Sequence, residues 1–355
     1  MRAITVIPGK QGSAALAELP DPELGRGDLL VEPLVLGVCG TDREIVAGHH
    51  GAAPQGSERL VLGHELLGRV REAPGDGRHG FEPGDLVAAI VRRPDPEPCP
   101  CCAAGEWDMC RNGRYTERGI LGRDGYGSEL VTLEADFAVR VAPALGRLGV
   151  LTEPASVLAK AWEQIDRIGT RACSVRDRVL VTGAGPIGLL AALMGRLRDL
   201  DVHVLDVATE GLKPELVREL GADYHTGDAV DVAKSVEPDI VIECTGVAEL
   251  VVAAMRHTPP GAIACLTGVA RARSLCVDVG ALNNELVLEN DVVFGSVNAN
   301  RRHFEQAAEA LRKADHDWLS RLLTRTVPLE RWHEALEKGH DDIKVVVEFP
   351  AAATG

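Results

Sequence analysis

Three short segments far apart in the chain carry side chains that together could hold a metal ion. GVCGTD (residues 37–42) offers the Cys39 thiolate, GHE (63–65) the His64 imidazole with Glu65 beside it, and LTEPAS (151–156) the Glu153 carboxylate. Thiolate, imidazole and carboxylate are the donors of zinc enzymes that keep a fourth position open for substrate. Zinc with an open position polarises a hydroxyl, and it brings the pKa of bound water down to about 7 in well-studied cases. An alcohol held there is poised to release hydride to a nicotinamide. Each fragment alone is weak, because a single histidine in a loop is ordinarily a surface or packing residue.

A dinucleotide motif gives the fragments their weight. VLVTGAGPIG (179–188) sets Gly183, Gly185 and Gly188 in the G-x-G-x-x-G pattern, after an apolar strand and at the start of an apolar helix. The first glycine makes the tight turn, the second lets a pyrophosphate approach the backbone, and the third permits close helix–strand packing. The helix N-terminus then offers free N–H groups to the phosphates. Pro186 and Ile187 within the turn, and Thr245 after a later strand, are further expected cofactor contacts. Asp206 ends the second strand, where a carboxylate accepts hydrogen bonds from ribose hydroxyls and repels a 2′-phosphate. No arginine follows it in VLDVATEG, and Lys213 is the nearest cation, placed on the next helix. This favours NAD, with NADP still open.

Four of the nine cysteines crowd together at Cys99, Cys101, Cys102 and Cys110. A reducing compartment disfavours structural disulfides, so clustered thiols point to metal ligation or redox chemistry. The remaining Cys173, Cys244, Cys265 and Cys276 read as small buried apolar residues.

These residues need a scaffold. Up to about residue 150 the chain alternates apolar runs such as LLVEPLVLGV with Gly, Pro and Asp, which predicts strands and turns. Residues 175–290 then alternate strand and helix, which implies a parallel sheet covered on both faces. After that come two helices, HFEQAAEALRKA and LERWHEALEKG, a last strand IKVVVEFP, and an AAATG end expected to fray. An α/β domain over 157–290 therefore interrupts a mostly β domain formed by 1–156 and 291–355.

A chain of 355 residues with 45% hydrophobic and 26% charged residues suits two soluble globular domains. The net charge of −15 argues against nucleic-acid or anionic-membrane surfaces, which need a basic patch. No basic segment leads into an apolar run at the N-terminus, so a cytoplasmic location is expected.

In order and spacing, GVCGTDREIVAGHHG, LVLGHELLGRV, VRRP, YTERGILGRDGYGSEL, LTEPASV and FGSVNANRRHFEQA resemble the zinc-dependent medium-chain dehydrogenases, and within them the microbial glucose 1-dehydrogenase branch. The resemblance implies a GroES-like, mostly β catalytic domain joined to a Rossmann, doubly wound parallel-sheet domain. It implies Zn2+ and NAD(P) as cofactors, with Cys39, His64 and Glu153 on the catalytic zinc and Glu65 as an occasional or indirect ligand. Thr41 matches the hydroxyl that hydrogen-bonds the reacting oxygen, and Glu44 a proton relay to solvent. Glu117 in TERGI and Asn298 in GSVN match groups that hold sugar hydroxyls, Asn298 also lying near the nicotinamide. A polyhydroxylated substrate needs such partners, because each unpaired buried hydroxyl costs about 1–3 kcal/mol.

The family also implies a structural-zinc lobe, here about 92–114, with four cysteines spaced C-x2-C-x2-C-x7-C. Cys99, Cys102 and Cys110 match the last three positions, while the first falls on Pro96. Cys101 or Asp95 could supply the fourth ligand, or the lobe could have lost its metal. The implied reaction is oxidation of a sugar hydroxyl, D-glucose at C1 first, with another polyol, cyclitol or biosynthetic sugar as the alternative. A non-catalytic dinucleotide-binding relative is the competing class, and it is disfavoured by the intact ligand set. A homodimer or homotetramer through edge strands of the nucleotide domain is also implied.

Overall fold

The computed structural model describes residues 1–25, 27–74, 78–172, 176–269 and 274–350. Cys173 and the AAATG end lie outside them. The chain forms two compact units, Met1–Ser156 with Asn298–Gly355, and Val157–Val297.

The first unit is organised around one long strand, Asp28–Val38, which is apolar almost throughout because both faces are covered. It pairs antiparallel with Glu65–Glu72, Val131–Glu134 and Lys344–Glu348. Pro33 donates no ladder hydrogen bond, and the register shifts there, between Pro33 and Val35. The register sets Gly37 opposite Glu65 on one side and opposite Val346 on the other. Residues near 37, 65 and 344 are thereby brought together from distant parts of the sequence. A smaller three-stranded sheet joins Arg92–Arg93, Thr116–Arg118 and Gly122–Arg123.

The second unit holds a six-stranded parallel sheet in the spatial order Asp223–His225, Asp201–Leu205, Arg178–Thr182, Ile240–Glu243, Ile263–Leu266, Val292–Gly295. Counted along the chain this is 3-2-1-4-5-6, the doubly wound order of a dinucleotide fold. Leu180, Leu205 and Val241 of the sheet pack with Val232, Ala233 and Val236 of the helix Ala229–Val236. Full burial of each such leucine or valine contributes about 1.5–3 kcal/mol.

The chain returns to the first unit at Asn298, not at the expected residue 291. Val292–Gly295 pairs with Ile263–Leu266 as the sixth strand, so it stays with the nucleotide sheet. The expected helix in LERWHEALEKG is a kinked 3-10 segment, Leu329–Leu336. Its buried residues Leu329, Trp332 and Ala335 recur every third position, the period of that tighter helix. Of the scattered cysteines, Cys265 is buried and Cys244 half-buried, but Cys276 is exposed, contrary to expectation.

Candidate active site and metal centre

Cys39 follows the long strand directly and N-caps the helix Gly40–Val46. Its sulfur lies 3.1 Å from His64 Nε2. Zn–S and Zn–N bonds of ordinary length set the two ligand atoms of a tetrahedral ion about 3.5 Å apart. A shift of a few tenths of an ångström therefore turns this contact into shared ligation. Glu65 brings a carboxylate oxygen within 4.8 Å of both.

Asp42, whose residue type and position in GVCGTD signal no metal chemistry, organises this pair. One of its oxygens accepts the Cys39 amide at 2.9 Å, and the other faces His64 Nδ1 at 3.4 Å. A carboxylate behind a ligating imidazole fixes the ring's tautomer and orientation. Burial opposes a charge on His64, but the Cys39 sulfur and Asp42 outweigh it and raise its pKa well above that of a free imidazole. Glu153 is pushed up to about 7, first by desolvation and then by repulsion from Glu65 and Asp42, against the pull of His64 and Lys344. Asp42 and Glu65 stand at this thiol–imidazole pair with Lys344 as the cation among them, whereas Glu153, near enough to feel their charges, lies outside the group of ligand atoms within 4.8 Å of one another. This donor set suits a divalent cation.

Glu65 has a second commitment. Lys344, 1% exposed at its side chain, donates to both Glu65 oxygens at 2.7 Å. Gly37 has to be glycine, because a Cβ there would collide with the Glu65 carboxylate. Glu65 is thus held by Lys344 beside the metal position. Thr41 is half-buried and gives its amide to the Cys39 sulfur at 3.3 Å. Glu44 lies on the same helix, and no hydrogen bond among the described residues joins its carboxylate to this cluster.

The expected sugar-holding residues meet one another. Asn298 Nδ2 donates to Glu117 Oε1 at 2.7 Å, and Arg92 Nε donates to the same oxygen at 3.0 Å. Strand register places Arg92 directly opposite Glu117. The guanidinium also stacks 3.7 Å from the centre of the Tyr115 ring and reaches the Asp108 carbonyl at 3.1 Å. Asn298 has φ +62°, a left-handed conformation that Asn tolerates better than most residues.

In the second unit, Gly183 has φ +96°, and a Cβ on Gly188 would run into the Gly183 carbonyl. Around Gly185, the N-cap of the helix Pro186–Arg196, the space is open. Asp206 accepts the amides of Ala184 at 2.6 Å and Ala208 at 3.1 Å, and Lys213 Nζ lies 3.4 Å away. Burial works to raise the Asp206 pKa, but these partners hold it below the usual range. Lys213, on the helix Leu212–Glu219, therefore sits beside this carboxylate. The Thr245 amide donates to the fully buried Glu243 carboxylate at 2.7 Å, which ties down the loop after that strand.

The cysteine lobe corrects one expectation. Cys99, Cys102 and Cys110 bring their sulfurs within 4.8 Å of one another, and Cys101 is not among them. Cys101 and Cys102 are neighbours on the short helix Pro100–Ala103, where successive side chains diverge by about 100°. Asp95 is also committed elsewhere, to the Glu97 amide, Asn112 and Arg114. Among the described residues the lobe thus brings together three thiols and not a closed set of four ligands. The Arg111 and Cys102 amides lower the Cys99 thiol pKa. The lobe is tied to the segment that follows Asn298, since Asn300 donates to Asp108 at 3.0 Å and Arg302 to Glu106 at 2.6 Å.

Residues 25–143 match the alcohol dehydrogenase GroES-like domain, and residues 146–349 match the glucose dehydrogenase C-terminus. Glucose 1-dehydrogenase of Thermoproteus tenax is 43% identical over 98% of this chain and 99% of its own length. Glucose 1-dehydrogenase of Methanocella arvoryzae is 40% identical over 99% of this chain and 100% of its own. Among solved structures, Haloferax mediterranei glucose dehydrogenase in complex with NADP, Zn and gluconolactone superposes with a TM-score of 0.91. It is 33% identical, covering 99% of this chain and 100% of that one.

Proposed function

The chain belongs to the glucose 1-dehydrogenase branch of the zinc-dependent medium-chain dehydrogenases, and on that premise we propose that it oxidises D-glucose at C1 to gluconolactone with NAD(P)+. The observation that carries this reading is the cluster of Cys39, His64 and Glu65, whose ligand atoms lie within 4.8 Å of one another in the unit that also holds the Glu117–Asn298 pair. Cys39, His64 and Glu153 hold the zinc. Bound there, zinc would supply the positive charge that makes the C1 hydroxyl acidic, and NAD(P)+ would be the hydride acceptor.

The chain's own residues do the rest. Asp42 orients His64, and Lys344 neutralises Glu65 so that Glu153 is left to complete the ligand set. The Thr41 hydroxyl accepts the hydrogen bond of the C1 hydroxyl and leads its proton outward. Arg92 and Asn298 fix one oxygen of Glu117, which leaves the other for a sugar hydroxyl. Gly183, Gly185 and Gly188 seat the pyrophosphate, and Asp206 with Lys213 beside it admits either ribose form. Cys99, Cys102 and Cys110 take a structural metal in the lobe.

A homo-oligomer through the edge strand Val292–Gly295 accompanies this reading. The neighbouring helix Val279–Glu289 buries no residue, and Val279, Val287 and Leu288 are 69%, 64% and 79% exposed. The unpaired thiols favour a reducing, cytoplasmic location. No helix among the described residues is long and apolar enough to cross a membrane.

Steady-state rates with a panel of aldoses, alditols and cyclitols test the assignment. Glucose is expected to give the highest kcat/KM. A cyclitol or alditol ahead of it would move the substrate class, and equal rates for glucose and a simple alcohol would overturn the sugar reading.

A further inference from the structure

At the outer edge of the nucleotide sheet lies a cluster that the proposed reaction does not use. Asp201 and His203 belong to the strand Asp201–Leu205, and Asp223 and His225 to the edge strand Asp223–His225. His203 pairs with Asp223, and Leu205 with His225. Alternation along each strand therefore sends Asp201, His203, Asp223 and His225 to one face. Asp201, His203 and Asp223 each place a ligand atom within 4.8 Å of the other two. His225 Nε2 lies 2.9 Å from His203 Nδ1.

We propose that these four residues form a binding site for a divalent transition metal, separate from the catalytic centre and the cysteine lobe. Two imidazole nitrogens bound to one ion at ordinary Zn–N distances and angles of 90–109° stand about 2.9–3.4 Å apart. The two rings already stand at that separation. Asp223 Oδ2 is 3.8 Å from His203 Nδ1 and is 73% exposed at its side chain, free to swing in as an oxygen donor. Asp201 Oδ2 lies 3.3 Å from the other nitrogen of His203, Nε2. It thereby favours the tautomer that leaves Nδ1 unprotonated, as a carboxylate does behind a ligating histidine. The His203 side chain is 12% exposed, so the ring cannot simply turn to solvent. Imidazole with carboxylate selects ions such as Zn2+, Ni2+ or Cu2+ over Ca2+ or Mg2+.

The position gives the site a structural consequence. The His225 carbonyl accepts the amide of Asp206, and Tyr224 donates to the Ala208 carbonyl at 2.6 Å. An ion joining His203 to His225 would clip the edge strand to its neighbour directly beneath the ribose-binding loop.

The probe is Ni2+, titrated by calorimetry into enzyme given only as much zinc as the His203→Gln variant retains, with zinc release followed in parallel. The wild type is expected to take up one equivalent of nickel without releasing zinc and without thiolate charge-transfer absorption. His203→Gln and His225→Gln should lose that equivalent while still binding NADH. Asp201→Asn should keep it with about tenfold weaker affinity, and Cys110→Ser should keep it unchanged. A wild type that binds no added nickel, or histidine variants that bind it undiminished, would overturn the proposal. Turnover of glucose does not enter the readout, so the result stands apart from the assigned activity.

Discussion

The two cysteine-bearing regions of the first unit are built in opposite ways. The proposed metal centre collects Cys39, His64, Glu65 and Lys344 from distant segments, and sheet register brings most of them together. The lobe draws Cys99, Cys102 and Cys110 from one continuous stretch folded around a single helical turn. The first surrounds its ligands with buried acids and one buried lysine, so its charge is out of balance without a cation. The second relies on backbone amides and three sulfurs. A site assembled by register depends on residues far from its motifs, whereas a local site depends on the direction each side chain leaves its turn.

The sharpest way to break this contrast is to remove one ligand from each region. Cys39→Ala should lower kcat for glucose by about 10³-fold or more, since it removes metal stabilisation worth several kcal/mol. NADH binding, read by fluorescence, should be retained. Cys110→Ser should cost one equivalent of metal but only a few-fold in KM, through the Asp108 and Glu106 contacts to Asn300 and Arg302. Cys101→Ser should change neither metal content nor KM.

Next in size is the buried ion pair. Lys344→Met leaves Glu65 charged and unpaired in the interior, and stability measured by urea unfolding should fall by about 3–5 kcal/mol. Adding Glu65→Gln should recover much of that loss. Full additivity of the two substitutions would contradict the pairing.

These outcomes also mark what the sequence discloses. Cys39, His64 and the glycine turn stand in short motifs whose residue types state their chemistry. Asp42 and Lys344 do not. Lys344 sits in IKVVVEFP, which reads only as a final strand, and its one signal is a lysine opening an otherwise apolar run. Arg92 is visible in VRRP, yet its place opposite Glu117 follows from register between two very short strands. Cys101 misleads because spacing along the chain does not show the divergence of neighbours on a helix. The six-strand order was half legible. The strands with strong apolar runs announce themselves, whereas the three-residue Asp223–His225 lacks a distinctive pattern, and the apolar VVFG of Val292–Gly295 does not show which sheet it joins.

A smaller effect separates substrate recognition from chemistry. Arg92→Lys keeps the charge but loses the planar stack on Tyr115 and the shared grip on Glu117 and Asp108. KM for glucose should rise by roughly ten-fold, corresponding to about 1–2 kcal/mol of lost hydrogen bonding, with kcat nearly unchanged. A matching fall in kcat would place Arg92 in the chemical step.

The smallest effect is a slope. In metal-free protein the folded Glu153 carboxyl has its pKa raised to about 7, above that of the unfolded chain. Folded protein therefore holds a proton that unfolded protein releases in between, and this contribution to stability is present at low pH and lost as pH rises through about 7. Chelated enzyme should lose stability over that window, and Glu153→Gln should flatten the curve. Zinc-loaded enzyme should not show the loss, because the ion takes the proton's place.

The most direct measurement is glucose-dependent NAD(P)H formation in exhaustively chelated enzyme as zinc is returned one equivalent at a time, in wild type and in Cys110→Ser. The account predicts negligible turnover without metal, and full activity on filling one site per chain in the Cys110→Ser variant. Undiminished turnover after chelation would contradict a zinc held by Cys39, His64 and Glu153 as the agent of sugar oxidation.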